Sequence, residues 1–299
     1  MILVTGATGL IGSHLCKRLV LEGNNVIGLI HDRANPILES LLENKNFKVY
    51  YGDIKDRDSI KDVFNNNHID TVFHLAAHVP HASDLDYGGV NVQGTCNLLI
   101  ESLANDIQRF IYASTMNVYS EPPIYLPITE DHPTTTIDSY GISKLRGEQL
   151  CKSHSKYMDI TIVRYASVYG KGSREPLVVA RFVNNALSNS PITIDGDGGQ
   201  SRDFIYVNSA VDGTYLVWRK GLSSVYNIGS GEETTILELA RSIVKILKSK
   251  SEIVFTGVES RNPFRLVSDI SKARHELGYL PITLEEGLPL YAKEILDES

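Results

Sequence analysis

The sequence predicts an α/β fold, a doubly wound parallel sheet joined to a smaller, mixed C-terminal substrate lobe. Three observations predict it. Short apolar runs alternate with longer amphipathic stretches through the first half. A glycine-rich turn joins the first run to the first amphipathic stretch. Past Tyr169, turn-rich punctuation such as Gly170-Lys171-Gly172 and Asp195-Gly196-Asp197-Gly198-Gly199 interrupts the pattern.

In chain order, strands are expected at 2–5, 26–30, 47–51, 71–75, 110–113 and 160–165, where β-branched and apolar residues run together. Continuous apolar strands imply a sheet covered on both faces. Helices are expected at 10–21, 59–66, 90–104 and 140–155. In the first of them Leu15 and Leu19 share one face and His14 and Arg18 another. Right-handed crossovers then give the doubly wound arrangement. Later helices are expected at 176–187, 209–219, 236–247, 270–277 and 284–295. Together with the sequence motifs, these elements divide the chain into a sheet domain, 1–169 plus about 203–229, and a lobe, about 170–202 plus 230–299.

Composition excludes several function classes. Lys plus Arg is 29 and Asp plus Glu is 36, a net charge of −7. Binding to nucleic acid or an anionic membrane through a broad basic surface is therefore not expected. No apolar run is long enough to span a bilayer. Three scattered cysteines, Cys16, Cys96 and Cys151, do not form a disulfide framework and read as core fillers. Met1–Thr5 reads directly as a strand and not as a secretory leader, which sets a cytoplasmic expectation.

Thr5-Gly6-Ala7-Thr8-Gly9-Leu10-Ile11-Gly12 lies between the first strand and the first helix. Glycines there permit a tight turn and bring backbone N–H groups and a helix N-terminus to a pyrophosphate. This context makes the segment a dinucleotide-binding turn of Rossmann type.

The T-G-x-x-G-x-x-G spacing resembles the extended short-chain dehydrogenase/reductase family, whose members include nucleotide-sugar epimerases and dehydratases. Further matches follow in the family's order: Gly52-Asp53-Ile54, His74-Leu75-Ala76-Ala77, Asn91-Val92-Gln93-Gly94-Thr95, Tyr140-Gly141-Ile142-Ser143-Lys144, Gly198-Gly199-Gln200-Ser201-Arg202-Asp203-Phe204 and Tyr226-Asn227-Ile228-Gly229-Ser230-Gly231. The resemblance covers nearly the whole chain. It implies a nicotinamide cofactor held by Gly6, Thr8, Gly9, Leu10, Ile11, Gly12, Asp53, Ile54, Leu75, Ala76, Ala77, Asn91 and Ala113, with Asp53 and Ile54 beside the adenine. It also implies a homodimer packed through helices near 84–104 and 140–155.

The choice between NAD and NADP stays open at this point. The usual acidic position at the end of the second strand is Ile30, followed by His31-Asp32-Arg33. His31 or Arg33 would pair with a 2′-phosphate, a slight lean to NADP, whereas Asp32 would restore NAD preference.

Tyr140 and Lys144 stand four apart and share a helix face. An ammonium beside the phenol, with the positive nicotinamide, would lower its ordinary value of about 10 and make it a proton carrier. By resemblance Thr115 donates a hydrogen bond to the reacting oxygen and Ser114 helps position substrate. Met116 and Asn117 stand where dehydratases carry Asp and Glu, and neither exchanges a proton at neutral pH. The expected activity is therefore nucleotide-sugar epimerisation, at C4 of a UDP-hexose, by transient oxidation with a bound cofactor. The alternative is an NADPH-dependent reductase of a nucleotide keto-sugar. A 4,6-dehydratase and a non-catalytic dinucleotide sensor are less favoured.

For the nucleotide diphosphate, residues 1–150 carry 11 basic and 18 acidic groups, and 151–299 carry 18 of each. The second half of the chain is thus the relatively cationic one, which suits a lobe that would grip a diphosphate. Arg202 is the first candidate for the phosphates, then Arg265 and Arg261, with Gln200, Arg174 and Arg181 weaker. Ser167 replaces the family's usual substrate-touching Asn. Asn208, in Val-Asn-Ser, is expected to cap the helix that follows. His74, His78 and His81 lack a fourth ligand, so no metal is expected.

Overall fold

A computed structural model describes residues 1–31, 35–78, 88–173, 177–260 and 263–297. Asp32, Arg33, His81, Arg174 and Arg261 lie outside the described residues.

The strands are β1 (Ile2–Thr5), β2 (Val26–Ile30), β3 (Phe47–Tyr51), β4 (Thr71–His74), β5 (Arg109–Thr115) and β6 (Asp159–Tyr165). Later come β7 (Ser167–Tyr169), β8 (Ile192–Ile194), β9 (Ser201–Arg202), β10 (Phe204–Tyr206), β11 (Val225–Ile228), β12 (Thr234–Thr235) and β13 (Ile253–Phe255). Helices are α1 (Leu10–Leu21), α2 (Pro36–Glu39), α3 (Arg57–Asn65), α4 (Thr95–Ala104), α5 (Ser139–His154), α6 (Val178–Leu187), α7 (Val207–Lys220), α8 (Ile236–Ile246) and α9 (Leu284–Leu296).

Seven strands form one parallel sheet in the order β11-β6-β5-β4-β1-β2-β3. The order reverses between β1 and β4, the point at which an open sheet of this kind leaves a crevice at its carboxyl edge. Leu3, Val72, Phe73, Phe110 and Tyr112 are fully buried, because helices cover both faces. Each such aliphatic side chain contributes about 1.5–3 kcal/mol.

β11 is the sheet element the patterning did not predict: its four residues follow α7 and pair with β6. The shorter pairs β7–β10, β8–β13 and β9–β12 were also not predicted individually, since two or three residues carry no readable period. The helix expected at 270–277 is helical over 271–277, and its last five residues, Ala273–Leu277, form a π-helical turn. Asn208 does not cap α7, which begins at Val207 after Tyr206 and has no side-chain cap. Among the described residues no helix is long and apolar enough to cross a membrane.

Candidate active site

The carboxyl ends of β1 and β4 build the first half of the site. Gly6 adopts φ +66°, and a Cβ there would lie 2.6 Å from the Ala76 backbone nitrogen. A Cβ on Gly12 would overlap the Gly6 carbonyl oxygen. Glycine is therefore required at both positions, and the turn lies flush against the segment after β4. Gly9 is the N-cap of α1; no side chain caps the helix and no acid stands in its first turn. Gly6, Thr8, Gly9, Leu10 and Ile11 are all partly exposed. This bare helix N-terminus at a switch point fits a pyrophosphate.

Around the adenosine end, the outcomes differ by residue. Ile30 is buried. Exposed His31 approaches Asp53 with Nε2 3.5 Å from Oδ2, and Asp53 Oδ1 accepts from the Lys55 N–H at 2.9 Å. Ile54 is buried against Gly94, where a Cβ would lie 2.5 Å from Ile54 Cδ1. Leu75, Ala76, Ala77 and Ala113 line the strand ends as half-buried residues.

Behind this surface runs a buried relay with a defined direction. The Ala76 N–H donates to Thr5 Oγ1 at 3.1 Å, and Thr5 Oγ1 lies 2.8 Å from His74 Nδ1. His74 Nε2 lies 2.9 Å from Thr95 Oγ1, which itself donates to the Asn91 carbonyl at 2.7 Å. Thr95 thus accepts from Nε2–H, and Thr5 donates to Nδ1. Burial holds the His74 imidazole well below its ordinary value, with the Lys144 charge adding to this, so the ring is neutral. Asn91 then grips the His78 backbone through both amide atoms, at 2.7 and 3.0 Å, and donates to Ser143 Oγ at 2.9 Å. Ser143 Oγ donates to the Tyr140 carbonyl at 2.7 Å. Asn91 is fully buried, so its side chain braces α5 against the strand ends.

The catalytic candidates stand on β5 and α5. Thr115 ends β5, half-buried, and its Oγ1 accepts the Asn117 N–H at 3.2 Å. Asp138 caps α5 by accepting the Gly141 N–H at 2.8 Å. A Cβ on Gly141 would overlap the Asn117 carbonyl oxygen, so α5 starts in direct contact with the turn after β5. That contact brings the Tyr140 end of α5 to Thr115. Burial pushes the Tyr140 phenol up to about 12, with the Asp138 carboxylate adding to the rise. This is opposite to the lowering expected from a neighbouring cation: burial and Asp138 set the direction, and Lys144 rests its Nζ on the Tyr112 ring, 4.2 Å from the centroid. Lys144 is 1% exposed, and burial lowers its ammonium to about 8.

Ser114 faces away from this edge. It is 4% exposed and its Oγ donates to Glu148 Oε1 at 2.6 Å, so it struts α5 from within and presents no hydroxyl to substrate. Met116 is buried with Val118, Tyr119, Ile128 and Leu266, and Asn117 Nδ2 reaches Asp138 Oδ2 at 3.4 Å.

In the lobe, Arg202 is partly buried, and Nη1 donates to the carbonyls of Ser201 at 2.7 Å and Phe264 at 2.8 Å. Burial lowers its guanidinium somewhat, and the Glu121 carboxylate opposes this. Arg265 is 64% exposed and makes a two-pronged pair with Glu233, 2.6 Å on each arm. Gln200 Nε2 donates to the Asp195 carbonyl at 3.2 Å. Ser167 is half-buried, and its backbone N–H donates to the Asp203 carbonyl at 2.9 Å. Among the described residues, no three His, Cys, Asp or Glu groups are placed to hold a metal.

With this geometry in place, comparison with known proteins gives a family. The model for the NAD dependent epimerase/dehydratase family matches residues 2–229. The chain belongs to that family. It is 32% identical to a putative UDP-glucose 4-epimerase of Methanocaldococcus jannaschii, over 96% of each chain. It is 30% identical to a UDP-glucuronate 4-epimerase of Thermodesulfobacterium geofontis, over 96% of this chain and 93% of that one. Among solved structures it resembles a UDP-glucose 4-epimerase of Thermotoga maritima with UDP-glucose: TM-score 0.92, 31% identity, 99% of both chains. It also resembles a Bacillus cereus UDP-glucuronic acid 4-epimerase in complex with UDP-glucuronic acid and NAD: TM-score 0.89, 31% identity, 100% and 99% coverage.

In this family member the sequence reading passed over two buried hubs. Arg164 grips Glu148 through two arms, at 2.9 and 2.7 Å, and donates to Tyr119 Oη at 2.9 Å. Tyr119 then donates to Asn227 Oδ1 at 2.7 Å. Asp203, next to Arg202, accepts from the N–H and Oγ of Ser230 at 2.7 and 2.6 Å, and from Ser268 Oγ. The sequence signal for the second hub is the acid of the Arg202-Asp203 dipeptide.

Proposed function

We propose that this NAD-dependent epimerase/dehydratase family enzyme inverts C4 of a UDP-linked hexose or hexuronate, with NAD as cofactor. What supports it is the make-up of the carboxyl edge: Tyr140 and Lys144 lie one turn apart on α5, the start of α5 packs on the turn that follows Thr115, and positions 116 and 117 hold no acid. Eliminating water from the sugar needs a paired acid and base, whereas inverting C4 needs one proton carrier used in both directions.

The chain's residues divide the work. Gly6, Gly9 and Gly12 with the α1 N-terminus receive the cofactor's pyrophosphate, and Leu75–Ala77 and Ala113 leave room for its backbone. Bound NAD supplies the reversible electron-pair acceptor that oxidation at C4 requires. Tyr140 takes the proton of the C4 hydroxyl and returns it. Thr115 donates to the same oxygen and fixes its position. Lys144 supplies a positive charge that favours phenolate at Tyr140 in the loaded site. Arg202 and Arg265 hold the diphosphate, and Ser167 and Gln200 border the nucleotide sugar.

NAD is preferred over NADP because His31 faces the Asp53 carboxylate, which would repel a 2′-phosphate brought to His31. Titrating the cofactor-depleted protein with each nucleotide tests this; tighter NADP binding overturns it. We further assign 1–169 plus 203–229 to the cofactor domain, in keeping with β11 lying in the main sheet. The outer faces of α4 and α5, beside exposed Leu103 and Tyr157, are proposed as a homodimer face, to be tested by light scattering.

The deciding experiment incubates the protein with UDP-glucose, UDP-galactose and UDP-glucuronic acid and follows the sugar by NMR. Interconversion of C4 epimers without net consumption of cofactor is expected. Product that forms only with stoichiometric NADPH oxidation, or loss of water from the sugar, overturns the reading.

A further inference from the structure

Resting on this catalytic reading, a second aromatic residue takes a part. We propose that Tyr112 is the positioning residue for Lys144: its ring face seats the ammonium and its hydroxyl ties down the same lysine's backbone.

Four observations meet at Tyr112. Its ring centroid is 4.2 Å from Lys144 Nζ. Its Oη donates to the Lys144 carbonyl at 3.3 Å, so one residue touches the lysine at both ends. It is fully buried, and its hydroxyl packs where a Cβ on Gly147 would overlap it. A glycine one turn beyond Lys144 is thus what leaves room for the Tyr112 hydroxyl against α5. On the other side, the His74 ring lies 5.6 Å away and tilts against it, which locks the ring from behind.

The need for such a seat follows from charge. Moving an ammonium into a buried site without compensation favours its neutral form. The groups that face Lys144 are His74 from β4, Tyr112 from β5, and Glu148 and Cys151 on α5 itself. His74 is neutral, and Cys151 and Tyr112 are held protonated by burial. Glu148 is charged but is already bonded to Arg164 and Ser114. The Glu148 carboxylate favours the cation from one turn further along α5, and the negative face of the Tyr112 ring is the group in direct contact with it; a desolvated contact of this kind is a strong one. Its placement also keeps the ammonium at a fixed point on α5, one turn from Tyr140.

The test replaces Tyr112 with Phe, with Met, and with ring-fluorinated phenylalanines of increasing fluorine content, which keep the shape and drain the ring face. The first readout is the titration of Lys144 in the cofactor-free protein, by NMR of 13Cε-labelled lysine, with the signal assigned through Lys144→Arg. The second is the basic limb of the kcat pH profile of the loaded enzyme. In Tyr112→Phe both are expected within a few tenths of a pH unit of the parent. Through the fluorinated series and in Tyr112→Met both are expected to move to lower pH, by about one unit at the extreme.

An unmoved Lys144 titration across the fluorinated series overturns the ring's role. A shift in Tyr112→Phe as large as in Tyr112→Met overturns it as well, since the hydroxyl alone would then carry the effect. The NMR titration needs no turnover, so it stands even if none of the UDP-sugars is a substrate, whereas that failure would sink the activity reading alone. The fluorinated series keeps the ring volume, so a misfolded Met variant leaves the comparison intact.

Discussion

The carboxyl edge of the sheet and the arginine-bearing lobe treat their polar groups in opposite ways. At the sheet edge, supporting groups are buried and bonded within the chain: Thr5, His74, Thr95, Asn91 and Ser143 form one relay, and Ser114, Glu148, Arg164, Tyr119 and Asn227 another. In the lobe, Arg265 is exposed on a single carboxylate and Arg202 sits on backbone carbonyls. On the proposed function, the difference follows the task. A proton carrier must stand in place before substrate arrives, because misplacement raises the barrier directly. A diphosphate grip has to exchange its resting partners for the ligand, so exposure and easily replaced contacts suit it.

The largest expected effect tests whether the sheet edge is the reacting centre. Tyr140→Phe keeps the ring and removes the proton carrier, and kcat is expected to fall by about 10²–10⁴-fold. KM should change far less, as the hydroxyl acts mainly in the transition state. Steady-state kinetics by a coupled epimer assay decides it. Turnover within tenfold of the parent would place the chemistry elsewhere.

A second test separates buried support from exposed grip by stability. Glu148→Leu leaves Arg164 buried with only neutral partners, and unfolding free energy should fall by about 3–5 kcal/mol. Glu233→Leu removes the partner of an exposed arginine and one acceptor of the Ser201 hydroxyl, and should cost only about 1 kcal/mol. Urea melts compare the two. Glu148 also predicts a pH dependence. Burial raises its carboxyl, but the bonds to Arg164 and Ser114 together outweigh this and hold it below the ordinary range. Its contribution is therefore complete above the unfolded value of about 4.3 and is lost as pH falls through the lower folded value. Melts from pH 6 downwards should show that loss in the parent and not in Glu148→Leu. Equal melts for Glu148→Leu and Glu233→Leu would remove the contrast between the regions.

Arg202→Ala reads the lobe directly. One charge-assisted contact to a phosphate lost is expected to raise KM about 10- to 100-fold, with kcat changed much less. A fall confined to kcat would instead mean that Arg202 acts on the reacting sugar.

The same contrast explains what the sequence made legible. The sheet was readable because strands buried on both faces appear as uninterrupted apolar runs, and β1, β2 and β3 begin and end where the patterning places them. The turn at Gly6–Gly12 was readable because glycine there is a steric necessity, shown by the contact of Gly6 with Ala76. The direction of polar side chains was not readable. Ser114 and Thr115 are adjacent hydroxyls at one strand end, yet strand alternation turns the first to Glu148 and leaves the second at the edge. Asn91 likewise matches a motif, but only its tertiary contacts with His78 and Ser143 show that it braces the site. Burial of Lys144 against Tyr112 joins residues 32 apart, and no local spacing announces it.

The smallest expected effect probes the resting state of the lobe. Glu233 occupies both arms of Arg265 and also accepts from Ser201 Oγ at 2.5 Å. If Arg265 grips the diphosphate, the ligand competes with this carboxylate. Glu233→Gln keeps the shape and removes the charge, so competition weakens and KM should fall about two- to threefold, a size in keeping with an exposed pair. Raising the salt concentration should shrink the difference between variant and parent, because screening already weakens the pair in the parent. An increase in KM would show that Glu233 holds Arg265 where the phosphate needs it. The lobe would then be built in advance like the sheet edge, and the distinction between the two regions would not stand.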